Sequence, residues 1–144
     1  MKIKKNQIFK SRQDISNLLG GDTQKEIAIS SQKPAILLFV NEENIYTDYF
    51  YPKGTYDYCM YTGIGRIGHQ DSVKNNMYAL NLEVLTHIMN HKSLCVFEKR
   101  ETKYYFVGRY QLIETHQNVQ PDAEGDLRRV FVFHLKKIED EITF

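Results

Sequence analysis

Six of the chain's ten tyrosines fall between Tyr46 and Tyr61, and there is no tryptophan. A tyrosine offers a rigid aromatic face for stacking and a hydroxyl that can reach a phosphate. Asp48 sits inside the cluster, where a carboxylate can accept from an exocyclic amino group. The plainer alternative is packing, because Tyr56 and Tyr58 alternate as on one side of a strand and Tyr61 follows in the same strand-like run. His87 and His91 are four apart, a helical spacing that can grip a metal. The metalloprotease version needs Glu directly after the first His, and here Ile88 follows. Cys59 and Cys95 lack a Cys-x-x-Cys partner and lie in apolar runs, which marks them as small core residues of a reduced cytosolic protein. Glu98-Lys99 and Pro121-Asp122 stand in the wrong chain order for a metal-dependent nuclease. Gly63-Ile64-Gly65-Arg66-Ile67-Gly68 has G-x-G-x-x-G spacing, but no βαβ unit or acidic partner follows it. No catalytic residue, metal ligand or cofactor is assigned.

The elements that must position these residues fit one domain of 144 residues. Ser11-Arg12-Gln13-Asp14 before Ile15, Leu18 and Leu19, then Gly20-Gly21, predicts a short helix. Ala35–Val40 is a continuous apolar run, as in a buried strand. Thr55–Tyr61, Ser93–Phe97, Tyr104–Ile113 and Leu127–Leu135 read as further strands, with a polar loop over 114–126. Val73, Met77, Leu80, Val84, Leu85 and Ile88 recur at helical spacing and predict a helix over 73–91. This order predicts an α+β fold whose mostly antiparallel sheet closes like a barrel. The domain is expected over 1–138, with 139–144 an acidic tail or the start of a linker. No apolar run is long enough to span a bilayer, so the expected location is the cytoplasm. The net charge of +1 argues against binding nucleic acid by charge alone.

Three stretches together resemble one family. The first is Arg12-Gln13-Asp14-Ile15, then Leu19-Gly20-Gly21, then Ile36-Leu37-Leu38-Phe39. The second is Tyr61-Thr62-Gly63-Ile64-Gly65, then Gln70-Asp71, Asn75 or Asn76, and Ala79-Leu80-Asn81. The third is Leu94–Phe97, Tyr104–Tyr110 and Arg129–Phe133. Their order and spacing resemble SRA-like (SET- and RING-associated) domains of bacterial modification-dependent restriction endonucleases, with the motif Tyr-Thr-Gly-x-Gly. The resemblance implies an SRA/PUA-like fold, a curved, barrel-like sheet flanked by a few helices. It also implies binding of double-stranded DNA containing a modified cytosine, 5-methyl or 5-hydroxymethyl, whose base is flipped into an aromatic pocket. Two departures stand out: His69-Gln70-Asp71 replaces the usual Gly-Asp-Gln, and the short segment between Gly65 and Gln70 leaves no room for the long finger of animal relatives.

The resemblance maps the base pocket onto Tyr46, Asp48, Tyr49, Tyr61, Thr62 and Gly63. Tyr61 would supply one stacking face and Tyr46 or Tyr49 the other, with Asp48 reading the base edge. The DNA backbone or groove is expected to meet Arg12, Gly65, Arg66, Gln70, Lys74, Asn75, Asn76 and Arg109. The chain is expected to be a non-catalytic reader in a restriction system, partnered by modified DNA and by a nuclease domain or subunit, with no membrane partner. The rival readings are a barrel-type module binding RNA or a nucleotide, and a small metal-dependent nuclease.

Overall fold

The apolar run Ala35–Val40 is one strand, and all six of its residues are buried. Its side chains alternate between two cores. Ile36, Leu38 and Val40 face one with Tyr61, Val84, Tyr110 and Phe133; Ala35, Leu37 and Phe39 face the other with Ile15, Leu19, Phe97 and Phe106. Burial on both faces explains why the run lacks the polar alternation of a half-exposed strand. The computed structural model describes residues 1–41 and 48–144. In chain order the elements are β1 (Lys2–Ile3), β2 (Ile8–Phe9), α1 (Arg12–Leu19), β3 (Ile27–Ile29), β4 (Ala35–Val40), β5 (Tyr49–Tyr51), β6 (Tyr58–Thr62), α2 (Tyr78–Leu85), β7 (Ser93–Arg100), β8 (Lys103–Pro121), β9 (Leu127–Glu139) and β10 (Ile142–Thr143).

The main sheet runs β3-β4-β7-β8-β9-β6-β5, with β2 added along β8. Its pairs are antiparallel except β4 with β7, which run parallel. The expected α+β class holds and the sheet is curved, but it does not close: β3 and β5 end the order on opposite sides. Helix α1 starts as expected, with Ser11 Oγ accepting from the Asp14 amide, and buries Ile15 and Leu19. Helix α2 packs Val84 into the core that holds Tyr61.

Three expectations about elements are corrected. The helix predicted over 73–91 is only Tyr78–Leu85. On its N-terminal side Asn75 Oδ1 accepts from the Met77 amide at 2.9 Å, so a side chain claims a donor within a turn. On its C-terminal side His91 takes φ 55 and the Lys92 amide bonds back to His87 O. The loop predicted over 114–126 is mostly strand: β8 continues through Pro121 and only 122–126 turn. Gln117, Asn118 and Val119 on this arm are exposed, so polarity there reflects solvent and not irregular backbone. Residues 139–144 do not hang free, since Ile142 is buried and pairs with Ile3. Among the described residues no helix is long and apolar enough to cross a membrane.

Candidate DNA-binding site

Strand β6 delivers Tyr61 and Thr62, and β9 fixes their register opposite Phe133 and Val132. Tyr61 is fully buried. Its hydroxyl lies 2.9 Å from Glu26 O and 3.3 Å from Phe39 O, both backbone acceptors. Burial and then the nearby Asp48 charge push its phenol well above the ordinary range, so it stays a neutral donor. Asp48 precedes β5, and its Oδ1 accepts from the Thr62 amide at 2.8 Å. The fold thus brings Asp48 and Thr62 together beside Tyr61, but the Tyr61 ring is packed in the core and offers no open face for the stacking expected of it. Tyr49 is not brought to Tyr61, although it lines a cleft with Asp48. It pairs with Met60, so its side chain leaves the sheet on the face opposite Tyr61; it is 46% exposed and its ring lies 6.0 Å from that of Tyr51. Tyr46 lies outside the described residues.

The glycine-containing segment after Thr62 is held by side chains the motif reading had cast differently or missed. Gln70 is fully buried: Nε2 donates to Gly63 O at 2.5 Å and Oε1 accepts from the Phe131 amide at 2.9 Å. Its amide braces the loop from inside and does not reach the surface, contrary to the expected DNA contact. Asn75 is turned the same way, donating to His69 O at 3.2 Å. Asn81 clamps Ile64 through both its amide and its carbonyl, each at 2.8 Å. Arg128, almost fully buried, donates to Gly65 O at 2.6 Å and Gly68 O at 2.9 Å. Gly63 has no room for a side chain: a Cβ would lie 2.7 Å from Gln70 Oε1 and 2.9 Å from Asn81 Oδ1. Gly65, at φ 125, tolerates a side chain no better, with the Asn75 amide 3.0 Å from its Cβ position.

This bracing presents Arg66 and Ile67 outward, the latter 57% exposed. Lys74 and Asn76 are exposed beside them. A cleft of about 450 Å³ opens here between Gly65, Arg66 and Asn76 on one side and Gln24 and Lys25 on the other. Arg12 does not project to this surface. Its guanidinium lies 3.5 Å over the Phe39 ring and donates to Asp22 O at 2.7 Å and Lys25 O at 2.8 Å. It anchors the turn carrying Gln24 and Lys25, and burial lowers its pKa from the ordinary value. Arg109 sits opposite Glu139, six residues along β9 from the partner of Tyr61, and pairs with that carboxylate at 2.7 Å.

A second cleft, of about 280 Å³, is lined by Asp48 together with Tyr49, Phe50, Thr55, Tyr56 and Glu98. Tyr56 donates to Glu98 Oε1 at 2.9 Å, and Arg100 Nε donates to the same oxygen at 2.5 Å. Burial, then the bond to Glu98, raises the Tyr56 phenol.

The other reactive side chains are occupied elsewhere. His87 is buried; Nδ1 faces Lys92 O at 2.9 Å and Nε2 accepts from the Leu112 amide at 3.1 Å. Both ring nitrogens are therefore engaged, and the proton sits on Nδ1. Cys59 and Cys95 are buried thiols, the latter pushed up to about 12 by burial, so neither is a ready nucleophile. Among the described residues no three His, Cys, Asp or Glu side chains group as metal ligands. Asn81 stood in the resembling stretch Ala79-Leu80-Asn81 without an assigned role, and Arg128 carried no motif of its own. The available signals were a polar residue inside an apolar helix and an arginine next to a strand's apolar run.

A family model described as ScoMcrA-like, SRA domain, matches residues 5–143. Among solved structures, the phosphorothioation-dependent restriction endonuclease ScoMcrA superposes with a TM-score of 0.74 at 19% identity, over 93% of this chain and 28% of that one. The SRA domain of SUVH5, in complex with hemi-methylated CG DNA, superposes with a TM-score of 0.68 at 19% identity over 99% and 94% of the two chains. The DNA modification-dependent restriction endonuclease AspBHI gives 0.72 at 14% identity over 99% and 79%. This chain thus spans less than a third of ScoMcrA, and at these identities the likeness is one of fold. No curated protein matches the sequence.

Proposed function

The chain belongs to the ScoMcrA-like SRA domain family, and from that premise we propose that it reads double-stranded DNA by flipping a modified cytosine against Asp48. The module is non-catalytic and serves a restriction system in which a nuclease domain or subunit cuts. SRA domains among its structural neighbours were solved with methylated and hydroxymethylated CG DNA in the case of SUVH5. For ScoMcrA, the sulfur binding domain and SRA domain were solved with phosphorothioated DNA.

The observation that carries this reading is the bond from the Thr62 amide to Asp48 Oδ1, which orients a carboxylate beside the fully buried Tyr61. Extruding a base costs a few kcal/mol, and stacking on an aromatic face returns roughly 1–3 kcal/mol. Tyr61, fully buried, has no open face for that return, so contacts at the base edge must support the extruded state. An oriented carboxylate accepts from the cytosine amino group and rejects a carbonyl at the same place, which separates cytosine from thymine; the amino group is common to plain and modified cytosine, so the preference for a modified base comes from the space beside C5. Arg66 and Lys74, exposed next to the braced loop, would meet the phosphates.

Matched duplexes with and without modified cytosine, plus a phosphorothioated one, test this at one salt concentration. The protein should bind a modified-cytosine duplex at least tenfold more tightly than the plain one. Asp48→Asn keeps the shape but offers a donor where an acceptor is needed, and should weaken binding of the modified-cytosine duplex about tenfold, because only an extruded base meets Asp48. Equal affinity for modified-cytosine and plain duplexes would sink the proposal.

A further inference from the structure

Resting on the reading above, we infer that the modification selected is a hydroxyl-rich one, a glycosylated 5-hydroxymethyl group, received by Glu98 in the cleft beside Asp48. The amino group on C4 and the substituent on C5 are neighbours on the cytosine ring. The wall that holds the amino group is therefore also the wall a C5 substituent reaches. Asp48 is shared between that wall and the cleft of about 280 Å³ formed with Thr55, Tyr56 and Glu98. A water takes about 30 Å³ in the liquid, and a methyl group is of comparable size, so the cleft exceeds a methyl several-fold.

Its chemistry points the same way. Glu98 uses Oε1 for both of its bonds, from Tyr56 and from Arg100 Nε; Oε2 takes none among the described residues. Arg100 also donates to the Tyr56 hydroxyl at 3.1 Å and lies 4.2 Å from the Tyr105 ring centroid, so the carboxylate is held in place. A sugar supplies hydroxyl donors to a fixed acceptor of this kind. Phe50 and Tyr56, packed edge to face at 4.7 Å, add an aromatic wall for its apolar face. A methyl group has no donor and would only strip water from the carboxylate, which is unfavourable. Two carboxylates at the cleft also disfavour an anionic substituent.

Identical duplexes carrying cytosine, 5-methylcytosine, 5-hydroxymethylcytosine or its glucosylated form are titrated against the wild type and Glu98→Gln. The glucosylated duplex should bind at least tenfold more tightly than the methylated one. Glu98→Gln should lose about tenfold on the glucosylated duplex and stay within about twofold on the methylated one. Thr55→Val removes one hydroxyl from the wall without touching the Glu98–Arg100 pair; it should lose about threefold on the glucosylated duplex alone, and it serves if Glu98→Gln fails to fold. If the methylated duplex binds as tightly as the glucosylated one and both exceed plain DNA, this inference is overturned and the base reading stands. If no modified duplex exceeds plain DNA, both fall.

Discussion

His87 shows how far a single side chain's role depends on its partners. Buried between α2 and β8, it accepts the Leu112 amide on Nε2, which only a neutral ring can do. Burial, with Arg109 adding to it, holds its pKa below the ordinary value despite the opposing bond to Lys92 O. The unfolded chain therefore binds a proton that the native state refuses. Stability present above the unfolded value of about 6.5 should be lost as pH falls below it, levelling off once the native pKa is passed. Urea melts from pH 7.5 to 5 on the wild type and His87→Gln should show a steeper acid loss in the wild type; parallel losses would contradict it. The sequence offered His87 and His91 as a spacing that can hold metal, and nothing local revealed that a strand amide 25 residues away takes one nitrogen. Asp48 and Tyr61 were legible for the opposite reason. Tyr61 belongs to a short motif and Asp48 to the tyrosine cluster just before it, although the bond that joins Asp48 to the Thr62 amide and the alternation of β5 that turns Tyr49 away from Tyr61 were not legible.

At the scale of elements, the long β8–β9 hairpin and the segment from Gly63 to Gln70 behave as one unit. Arg128 in β9 bonds Gly65 O and Gly68 O, and Gln70 bonds the Phe131 amide of the same strand. Arg128→Met keeps most of the buried volume but removes the guanidinium donor from Gly68 O and from Gly65 O, the latter still 3.4 Å from Gln70 Nε2. An unmet buried acceptor costs about 1–3 kcal/mol, so the variant should lose roughly 2–4 kcal/mol in urea melts and bind every duplex more weakly. Full stability would mean that the clamp contributes nothing. These contacts span about sixty residues, and for that reason the sequence could show the glycines but not what grips them. The same limit explains the hairpin. Its outer arm is polar because it is solvated, so Glu114–Gln120 read as a loop, whereas β4, apolar because both of its faces are covered, was read correctly. Helix α2 was overextended because apolar spacing persists into turns that Asn75 and His91 break.

For the whole molecule, a net charge of +1 limits how much of DNA binding can be electrostatic. Several basic side chains are already spent on the protein's own carboxylates: Lys2 with Glu141, Arg109 with Glu139, Arg129 with Asp71 and Lys137 with Asp140. Around the braced loop Arg66, Lys74 and Lys25 are exposed and form no ion pair among the described residues. Neutralising about two to four phosphates gives a slope of roughly −2 to −4 in log affinity against log salt, a fall on the order of ten- to hundredfold between about 50 and 200 mM. The slope should be the same for modified and unmodified duplexes, because both offer the same phosphates and differ only at the flipped base. Titrations of both duplexes at four salt concentrations would then give parallel lines, separated by a constant that Asp48→Asn shrinks and Arg66→Ala leaves alone. Arg66→Ala should instead make both lines shallower by about one unit. Lines that converge at high salt would mean that the preference comes from backbone charge and not from the pocket.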